Sequence, residues 1–450
     1  MSTSYCVVGG GISGLVAAYR LRRVAGADAT ITVFDPADRL GGILRTERLG
    51  GQPLDIGAEA FIARRPEVPA LLAELGLSGR TISTTGVQTT IYSGGRLHPL
   101  PSGTVNGIPT SAESMAGLVD AATLTRIAAE PDRPLGWESG SDPTIGDLVA
   151  ERFGDQVVAR SVDPLVTGVY SGSSATIGLR SAVPTIAAAL DDGAPSLTAA
   201  ARRVLPGPGG GPVFAAIDGG YRILLDELTE RSALEWVQTG VTSIDRDGSG
   251  WVLGDGTGSS WRADAVVLAV PAPRLPGLIA EIAPRSAAVA ARIPVASAAV
   301  LAMALPVGTP LPPQSGVLVA SGESLRCKAI TLSSRKWGAR GDAEILRMSF
   351  GRFGDEVARQ TPEEQLCAWA VADLATVFGI DAQPLGVLVH RWIDAMPQYG
   401  PGHAGIAEEI RADLPPTLAV AGNYLDGIGV PACVAAAGRA VTKLRAAAGD

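Results

Sequence analysis

A glycine-rich turn near the N-terminus has the residue types and the spacing needed to bind a pyrophosphate. Its residues are Gly9, Gly10, Gly11, Ile12, Ser13 and Gly14. The turn follows an apolar run at residues 5–8 and precedes apolar residues at helical spacing, which predicts a strand, a tight turn and a helix. In such a unit Gly9 permits the turn, Gly11 lets the backbone approach the phosphates and Gly14 lets the helix pack on the strand. Since the helix N-terminus also offers free N–H groups to an anion, the pattern predicts a dinucleotide site.

An acidic residue lies where a dinucleotide site needs one. Asp35 follows a second apolar run, residues 30–34, about 20 residues after the turn. A carboxylate at this spacing accepts hydrogen bonds from ribose hydroxyls, and it would repel a 2′-phosphate. The sequence therefore predicts a ligand whose adenosine ribose is not phosphorylated at this position.

A second pair of glycines directs the prediction toward a flavin. Gly41 and Gly42 lie just after Asp35 and are followed by Arg45. These glycines would let the backbone pass close beside an extended dinucleotide, which is typical of flavoproteins, whereas an NAD dehydrogenase has no need of them. After the next predicted strand, Gly57 would allow close approach to the flavin.

Two carboxylates, Asp55 and Glu59, flank Gly57. Either side chain could act as a catalytic acid or base. Contact with solvent, or capping of backbone N–H groups, is the simpler interpretation.

The C-terminal part of the chain supplies another strand, a glycine-rich loop and a helix. The strand is predicted at residues 417–421, the loop follows it, and the helix is predicted at residues 430–447. A helix that begins near Val430 points the positive end of its dipole at whatever precedes it. A flavin carries negative charge around N1 and C2=O when reduced, so this helix end would stabilise charge where it develops.

Composition excludes several classes of protein. The chain has 450 residues, 46% of them hydrophobic and 18% charged, with a net charge of −8. Such a chain lacks the basic surface that nucleic acid or an anionic membrane would require. No basic segment precedes an apolar core at the N-terminus, and the most apolar stretch, residues 295–305, is too short to span a bilayer. We therefore expect a cytoplasmic protein of two or three structural regions.

The cysteines and histidines do not form a recognisable metal site. Four cysteines show no paired spacing, so four buried free thiols are expected in a reducing compartment. The three histidines are scattered and have no carboxylate cluster, so no metal is predicted. The cysteines are Cys6, Cys327, Cys367 and Cys433, and the histidines are His98, His390 and His403.

The order of predicted elements indicates an α/β fold, α+β overall, whose Rossmann-like FAD-binding domain is built from discontinuous segments. We assign residues 1–84, 205–272 and 417–450 to this domain. Residues 85–105 and 273–416 form a mixed α/β substrate-binding domain, and residues 106–204 form a helical region. One helix there is predicted to be capped by Thr144, with Asp147 three residues on. Packing against a neighbouring domain is the favoured role of these alanine-rich helices, and peripheral contact with a membrane is the alternative.

Further motifs in the middle of the chain resemble one family. In order and spacing they are similar to the porphyrinogen oxidases of haem biosynthesis, the coproporphyrinogen III and protoporphyrinogen oxidases of the amine-oxidase-type FAD superfamily. The resemblance spans nearly the whole chain, and its motifs are more specific than the glycine turn. They occupy residues 92–101, 107–110, 164–172, 328–329, 336–337, 396–399 and 429–433.

The resemblance implies FAD as cofactor and assigns residues to its site. Val241 would lie at the adenine side, and Ile428, Gly429 and Val430 would lie beside the flavin ring. The remaining cofactor-binding residues would be Gly9, Gly10, Gly11, Ile12, Ser13, Gly14, Asp35, Gly42, Arg45, Gly57, Ala58, Glu59 and Ala60. The substrate cavity would include Gly168, Tyr170, Lys328 and Tyr399.

The chain departs from the family at one position that concerns the substrate. Some members carry an arginine before the first hairpin strand, where it can hold a propionate, but residues 88–90 here are Gln, Thr and Thr. Propionates would then need other basic residues, each of which is otherwise an ordinary surface charge. The candidates are Arg64, Arg65, Arg96, Arg335, Lys336 and Arg391.

The chemistry that the resemblance implies needs no dedicated acid or base, so we assign no catalytic residue. Loss of hydride from a meso carbon leaves a cation spread over electron-rich pyrroles, and a pyrrole N–H can then lose its proton to water. Three such steps would convert coproporphyrinogen III to coproporphyrin III, with dioxygen reoxidising FAD and yielding hydrogen peroxide each time. The implied partners are the porphyrinogen, dioxygen and a ferrochelatase that receives the product.

Three other functions remain open. Protoporphyrinogen IX is the alternative substrate. An amine oxidase-type flavoenzyme would need an aromatic cage and often a covalent flavin, yet the sequence around Cys433 is unlike an attachment motif. A non-enzymatic binding protein of the same fold would lack a working flavin site.

Overall fold

The computed structural model describes residues 3–207, 211–339 and 341–448, so residues 208–210 within the predicted cofactor domain, and both ends of the chain, lie outside it. The strands are, in chain order, β1 Ser4–Val8, β2 Thr30–Phe34, β3 Thr46–Leu49, β4 Gln52–Asp55, β5 Phe61–Ile62, β6 Thr81–Ser83, β7 Thr89–Ser93, β8 Arg96–Pro99, β9 Thr104–Val105, β10 Ile108–Pro109, β11 Phe214–Ile217, β12 Glu235–Val237, β13 Ser243–Asp247, β14 Gly250–Gly254, β15 Ser260–Ala263, β16 Ala265–Leu268, β17 Val295–Pro306, β18 Gly316–Val319, β19 Ala329–Thr331, β20 Ala343–Phe350, β21 Gly386–Pro397 and β22 Leu418–Val420.

The helices are spread along the chain, with an uninterrupted run from α3 to α9 between β10 and β11. They are α1 Ile12–Ala25, α2 Glu67–Glu74, α3 Ala121–Ala128, α4 Ile145–Phe153, α5 Asp155–Val157, α6 Asp163–Tyr170, α7 Leu179–Ala182, α8 Pro184–Asp191, α9 Leu197–Val204, α10 Arg222–Ser232, α11 Leu275–Ile279, α12 Pro284–Ala290, α13 Ser333–Lys336, α14 Val357–Gln360, α15 Glu363–Phe378, α16 His403–Ala412 and α17 Val430–Ala448.

A parallel sheet of five strands carries the glycine-rich turn. Its order is β12-β2-β1-β16-β22, and every neighbouring pair is parallel. The strands come from three distant parts of the chain, and their apolar side chains form one core with those of α1, α10 and α17. Strands buried on both faces need continuous apolar runs, which explains sequences such as Ala-Val-Val-Leu in β16. The predicted α/β fold is confirmed.

A second sheet of seven strands has two unlike faces. Its order is β21-β17-β20-β19-β18-β7-β8. One face is buried against α15 and contributes Leu301, Met348 and Phe350 to a hydrophobic core. The opposite face is buried where β17 meets the start of β20. Only the part formed by β18, β19 and the end of β20 is half-buried, although these strands lie in the middle of the sheet. Its residues, which we call the cleft face, are Leu318, Ala329, Thr331, Arg347 and Ser349; they share a side because they are paired directly across the strands.

The helical region has its own core and one fully buried ion pair. Arg152 on α4 donates to Glu130 at 2.8 Å, and both side chains are almost completely buried. The carboxylate of Glu130 also accepts the backbone N–H groups of Leu197 and Thr198, at the start of α9. The pair therefore connects two helices and satisfies part of a helix N-terminus.

Most predicted elements are present, with small shifts at their ends. The strand predicted at residues 417–421 spans Leu418–Val420. Val241, predicted to lie at the adenine side, lies just before β13. Thr144 caps α4, accepting the N–H of Asp147 at 3.1 Å as predicted. The cysteines are free thiols, but Cys367 is only partly buried, contrary to expectation. The boundaries that divide the chain into three regions stay a prediction.

We expect Glu130→Gln to lower the free energy of unfolding by about 3–5 kcal/mol, because it leaves Arg152 buried without its counter-charge. Urea denaturation measures this. The control is Asp226→Asn, which breaks the exposed pair with Arg222 and should cost less than about 1 kcal/mol. Equal effects of the two substitutions would contradict the structural role of the buried pair.

Candidate functional site

Three glycines of the turn, Gly9, Gly11 and Gly14, have different surroundings. A Cβ on Gly9, whose φ is +108°, would lie 2.4 Å from the carbonyl oxygen of Ala269. A Cβ on Gly14 would lie 1.9 Å from the carbonyl oxygen of Gly9, so neither position has room for a side chain. Gly11 is different, because the nearest atom to its Cβ position is the Cα of Gly42, 3.9 Å away. The backbone at Gly11 therefore borders open space beside the start of α1, where a pyrophosphate could lie.

The carboxylate of Asp35 closes the turn. It accepts the backbone N–H of Gly10 at 2.7 Å and that of Ala37 at 2.9 Å, and the side chain remains partly exposed. Each carboxylate oxygen has a second lone pair, so these bonds leave it able to accept a ribose hydroxyl.

The second glycine pair lies directly against the first turn. The N–H of Gly41 donates to the carbonyl of Gly10 at 2.7 Å, and a Cβ on Gly42 would be 3.0 Å from the Cα of Gly11. The guanidinium of Arg39 donates to the carbonyls of Leu40, Gly42 and Leu44 and so fixes this loop. Arg45, a predicted cofactor ligand, instead pairs with Glu47 at 2.5 Å.

The segment Gly57, Ala58, Glu59 and Ala60 is half-buried next to these loops. A Cβ on Gly57 would lie 1.8 Å from the carbonyl oxygen of Ile43 and 3.1 Å from Trp392. The sequence analysis attributed this glycine to close approach of the flavin. The structure shows that the side chain is excluded by protein atoms, so Gly57 is needed first to pack two loops together.

Glu59 belongs to a cluster of charges and is not solvated, which corrects the interpretation from sequence. Its carboxylate lies 2.7 Å from the Lys336 ammonium, 3.0 Å from the Ser333 hydroxyl and 3.6 Å from the Arg347 guanidinium. Burial on its own raises the pKa of Glu59, but the charges of Lys336 and Arg347 outweigh it and lower that pKa to about 2. Glu59 is therefore ionised at neutral pH.

Asp55 is a capping residue, as the simpler interpretation had it. Its carboxylate accepts the Thr46 hydroxyl at 2.5 Å and the N–H of Tyr221 at 3.1 Å, just before α10. Burial raises the pKa of Asp55 to about 6, although these two hydrogen bonds and the Arg347 charge oppose the shift.

The C-terminal loop lies beside the predicted cofactor site. Helix α17 begins at Val430, packs against α1 and buries Val430, whereas Ile428 is half-buried and Gly429 is exposed. The hydroxyl of Tyr399 accepts the N–H of Gly427 at 3.0 Å and donates to the carbonyl of Asn423. The loop before α17 is thus held in place. Val241 is buried in the core that surrounds the parallel sheet.

Three of the predicted substrate residues are neighbours, but they are largely buried. The rings of Tyr170 and Tyr399 lie 5.8 Å apart, and Lys328 donates to the hydroxyl of Ser171 at 2.5 Å and to the carbonyl of Gly351 at 2.7 Å. Burial, helped by the nearby Arg352 charge, lowers the pKa of Lys328 to about 7. These three side chains are packed inside the protein, and their assignment to a substrate cavity stays a prediction.

Gly168 is exposed at the end of α6, and a Cβ there would be 3.6 Å from Leu318. This contact places α6 over the cleft face. Of the cleft-face residues, only Ala329 was indicated by the sequence, within the motif at residues 328–329. The others were not, because their side of the sheet depends on pairing between strands far apart in the chain. Arg347, a charge within an otherwise mainly apolar strand, is the one residue whose type could have indicated it.

The six candidate propionate ligands differ in availability. Lys336 is paired with Glu59, Arg335 with Glu344, and Arg391 donates to two backbone carbonyls. Arg65 pairs with Glu67 but is exposed, as are Arg64 and Arg96. The three exposed arginines are the better candidates for an incoming carboxylate.

The described residues contain neither a membrane-spanning helix nor a cluster of metal ligands. Within residues 3–207, 211–339 and 341–448, no helix is both long and apolar enough to cross a membrane. Among the same residues, no group of three or more histidine, cysteine, aspartate or glutamate side chains is arranged to hold a metal ion.

The arrangement fits an extended dinucleotide. Open space borders Gly11, two glycine loops lie in contact beside it, and partly exposed backbone continues through residues 57–60 to the loop before α17. These segments come from the first 60 residues and from the loop before α17, and the packing of α17 on α1 brings the two parts together. The assignment of individual residues to the cofactor stays a prediction.

Comparison with known proteins agrees with this geometry. Residues 12–445 match the family described as flavin containing amine oxidoreductase, so the chain belongs to that family. It is an FAD-dependent oxidoreductase, and the resemblance recognised in the sequence motifs is confirmed.

Several known proteins are similar to this chain over nearly its whole length. The chain is 66% identical to a coproporphyrinogen III oxidase of Mycobacterium tuberculosis, covering 98% of this chain and 97% of the relative. It is 63% identical to a coproporphyrinogen III oxidase of Mycobacterium leprae, covering 99% of each. Among solved structures, a protein from Exiguobacterium sp. 255-15, provisionally assigned as a protoporphyrinogen oxidase, matches with a TM-score of 0.89 at 26% identity over 99% of each chain.

We expect Gly11→Asp to abolish flavin retention without unfolding the protein, because the new carboxylate would enter the open space and repel a pyrophosphate. Flavin absorbance per protein and circular dichroism measure the two effects. Gly277→Asp, at an exposed position with no atom near its Cβ, is the control and should stay yellow. A Gly11→Asp protein with full flavin content would refute the placement of the pyrophosphate.

We expect Lys328→Met to be more stable than the wild type below about pH 7, and this advantage to shrink as the pH rises toward 10. The folded wild type releases the Lys328 proton near pH 7, whereas the unfolded chain keeps it up to the ordinary pKa of 10.5. Since the unfolded state binds more protons in this window, wild-type stability rises with pH. Urea denaturation of both proteins across the window measures it, and a pH-independent difference would show that Lys328 is not buried as described.

Proposed function

We propose that this protein oxidises coproporphyrinogen III to coproporphyrin III in haem biosynthesis, with dioxygen as electron acceptor and hydrogen peroxide as second product. The observation that carries the proposal is the identity of 66% to a coproporphyrinogen III oxidase over 98% of the chain. Six hydrogen atoms leave the porphyrinogen, so each porphyrin formed would consume three molecules of dioxygen and yield three of hydrogen peroxide.

The reaction requires binding and orientation from this chain more than acid or base chemistry. When bound, FAD accepts a hydride from the substrate and passes the electrons to dioxygen. The glycine loops and the starts of α1 and α17 would hold the cofactor, with amide groups directed at its negative charges. The cleft face and the end of α6 would hold the substrate ring against it, which supplies proximity and limits access of water. The proton lost from a pyrrole would pass to water.

The substrate's carboxylates need positive charge at the edge of the cleft. We propose Arg64, Arg65 and Arg96 for this role, because these three arginines are exposed, whereas the other candidates are half-buried and bound to protein groups. Arg65 would exchange its contact with Glu67 for the substrate carboxylate. Tyr170, Lys328 and Tyr399 would support the cavity wall from behind.

Protoporphyrinogen IX is the second candidate substrate. It is favoured by the structural similarity to the Exiguobacterium protein. Covalent attachment of flavin through Cys433 is disfavoured, because burial raises the pKa of that thiol to about 11 and leaves little of the reactive thiolate.

We further propose that the three regions assigned from sequence act as cofactor-binding, substrate-binding and helical parts. The protein would be cytoplasmic, where it would pass its product to a ferrochelatase. Contact of the helical region with a membrane surface is the alternative to a purely cytoplasmic location.

Initial rates on both porphyrinogens, followed by porphyrin fluorescence with peroxide measured in parallel, test the proposal. We expect the higher kcat/KM on coproporphyrinogen III and about three peroxide molecules per porphyrin. Activity on protoporphyrinogen IX alone would transfer the assignment to the second candidate. Flavin-loaded protein with no activity on either substrate would reject both.

A further inference from the structure

Two cations surround the buried carboxylate of Glu59, and they are not equivalent. Lys336 lies 2.7 Å from this carboxylate, whereas Arg347 lies 3.6 Å from it. The ammonium of Lys336 is therefore the closer counter-charge, and Glu59 neutralises the guanidinium of Arg347 less fully. Arg347 is the cation of this cluster whose charge can act on something else.

The guanidinium of Arg347 is fixed against the predicted cofactor segment. One of its Nη atoms donates to the carbonyl of Gly57 at 2.7 Å and lies 3.5 Å from the carbonyl of Ile56. Among the described residues no acceptor lies within hydrogen-bond distance of its buried Nε. A buried donor without a partner costs free energy, and a ligand that accepts from it would recover that cost.

Arg347 lies on the cleft face, so its positive charge is available to a ligand that binds in the cleft. Its strand partners are Thr331 on β19 and Ala302 on β17, both uncharged, so no neighbouring strand residue opposes the charge directly across the sheet. Asp55 is the other carboxylate nearby, and it is occupied by the Thr46 hydroxyl and by an N–H group just before α10. A fixed guanidinium in a largely dry site acts strongly on charge that develops nearby.

We propose that Arg347 stabilises the negative charge that FAD carries when reduced, and so raises the reduction potential of the bound cofactor. This inference rests on the proposed function, since it requires FAD beside the segment of residues 57–60. Two electrons and one proton would arrive as hydride from the substrate carbon and leave later to dioxygen. Arg347 exchanges no proton in either step, and Glu59 acts in the opposite sense because its charge disfavours the reduced anion.

Removing the charge of Arg347 and removing that of Glu59 should shift the reduction potential of the flavin in opposite directions, and this difference is the test. The midpoint potential of the purified flavoprotein, measured without substrate, should fall in Arg347→Met. A tenfold shift of the equilibrium toward oxidised flavin corresponds to about 30 mV for this two-electron couple. Arg347→Lys should keep most of the wild-type potential because it keeps the charge. Glu59→Gln should raise the potential.

The control is Arg359→Met, which removes a half-exposed arginine that pairs with Asp394. It should leave the potential unchanged. If Arg347 only supported the fold, its substitution by methionine would loosen flavin without moving the potential, and Glu59→Gln would not shift it upward. If Arg347 bound a substrate carboxylate instead, KM would rise while the potential stayed constant, which would overturn the inference.

Failure of this inference can be distinguished from failure of the proposed function. Wild-type protein that binds no flavin, or that binds flavin but oxidises neither porphyrinogen, rejects the proposed function. Wild-type protein that is active and yellow, with equal potentials in all four variants, rejects only the role of Arg347. Should Arg347→Met fail to fold, the upward shift expected in Glu59→Gln still decides the matter.

Discussion

The contact between the carbonyl of Gly9 and the Cα of Gly14 is the constraint on which the rest of the cofactor site depends. It brings the start of α1 so close to the end of β1 that no side chain fits at Gly14, while the carbonyl of Ala269 excludes one at Gly9. The same closeness lets Gly10 hold the loop of Gly41 through a backbone hydrogen bond. Because a backbone hydrogen bond joins the two loops, the open space beside Gly11 does not depend on the conformation of a side chain.

The space beside Gly11 becomes a binding site only because segments that are distant in sequence surround it. The parallel sheet takes β16 and β22 from the later parts of the chain, and α17 packs on α1. The charged cluster at Glu59 joins residues 277 positions apart in sequence. Folding therefore couples the two ends of the chain. Because α17 packs on α1, a substitution that displaces α17 would also disturb the N-terminal turn. Such long-range contacts make assembly slow relative to local helix formation.

What could be predicted from sequence follows this division between local and distant interactions. The turn, Asp35 and the cap at Thr144 were predictable because their partners lie within one supersecondary unit, where spacing fixes geometry. The contact of Lys328 with Ser171 and the ion pair of Glu59 with Lys336 were not, because each joins residues more than 150 positions apart. Periodicity also cannot tell which face of a central strand borders a cleft, so the cleft face remained hidden until strand pairing was known.

The two buried charge clusters show how burial can serve structure or function. Glu130 and Arg152 are almost fully buried, and the carboxylate is surrounded by N–H donors, so the pair leaves no charge to act outside itself. The Glu59 cluster has two cations, and it lies largely buried beside the cleft face. In the part of the chain that the structure describes, Nε of Arg347 has no hydrogen-bond acceptor. Packing alone would favour satisfying every buried polar group. A cluster that stays incomplete beside a cleft is better explained by a charge that arrives with the cofactor.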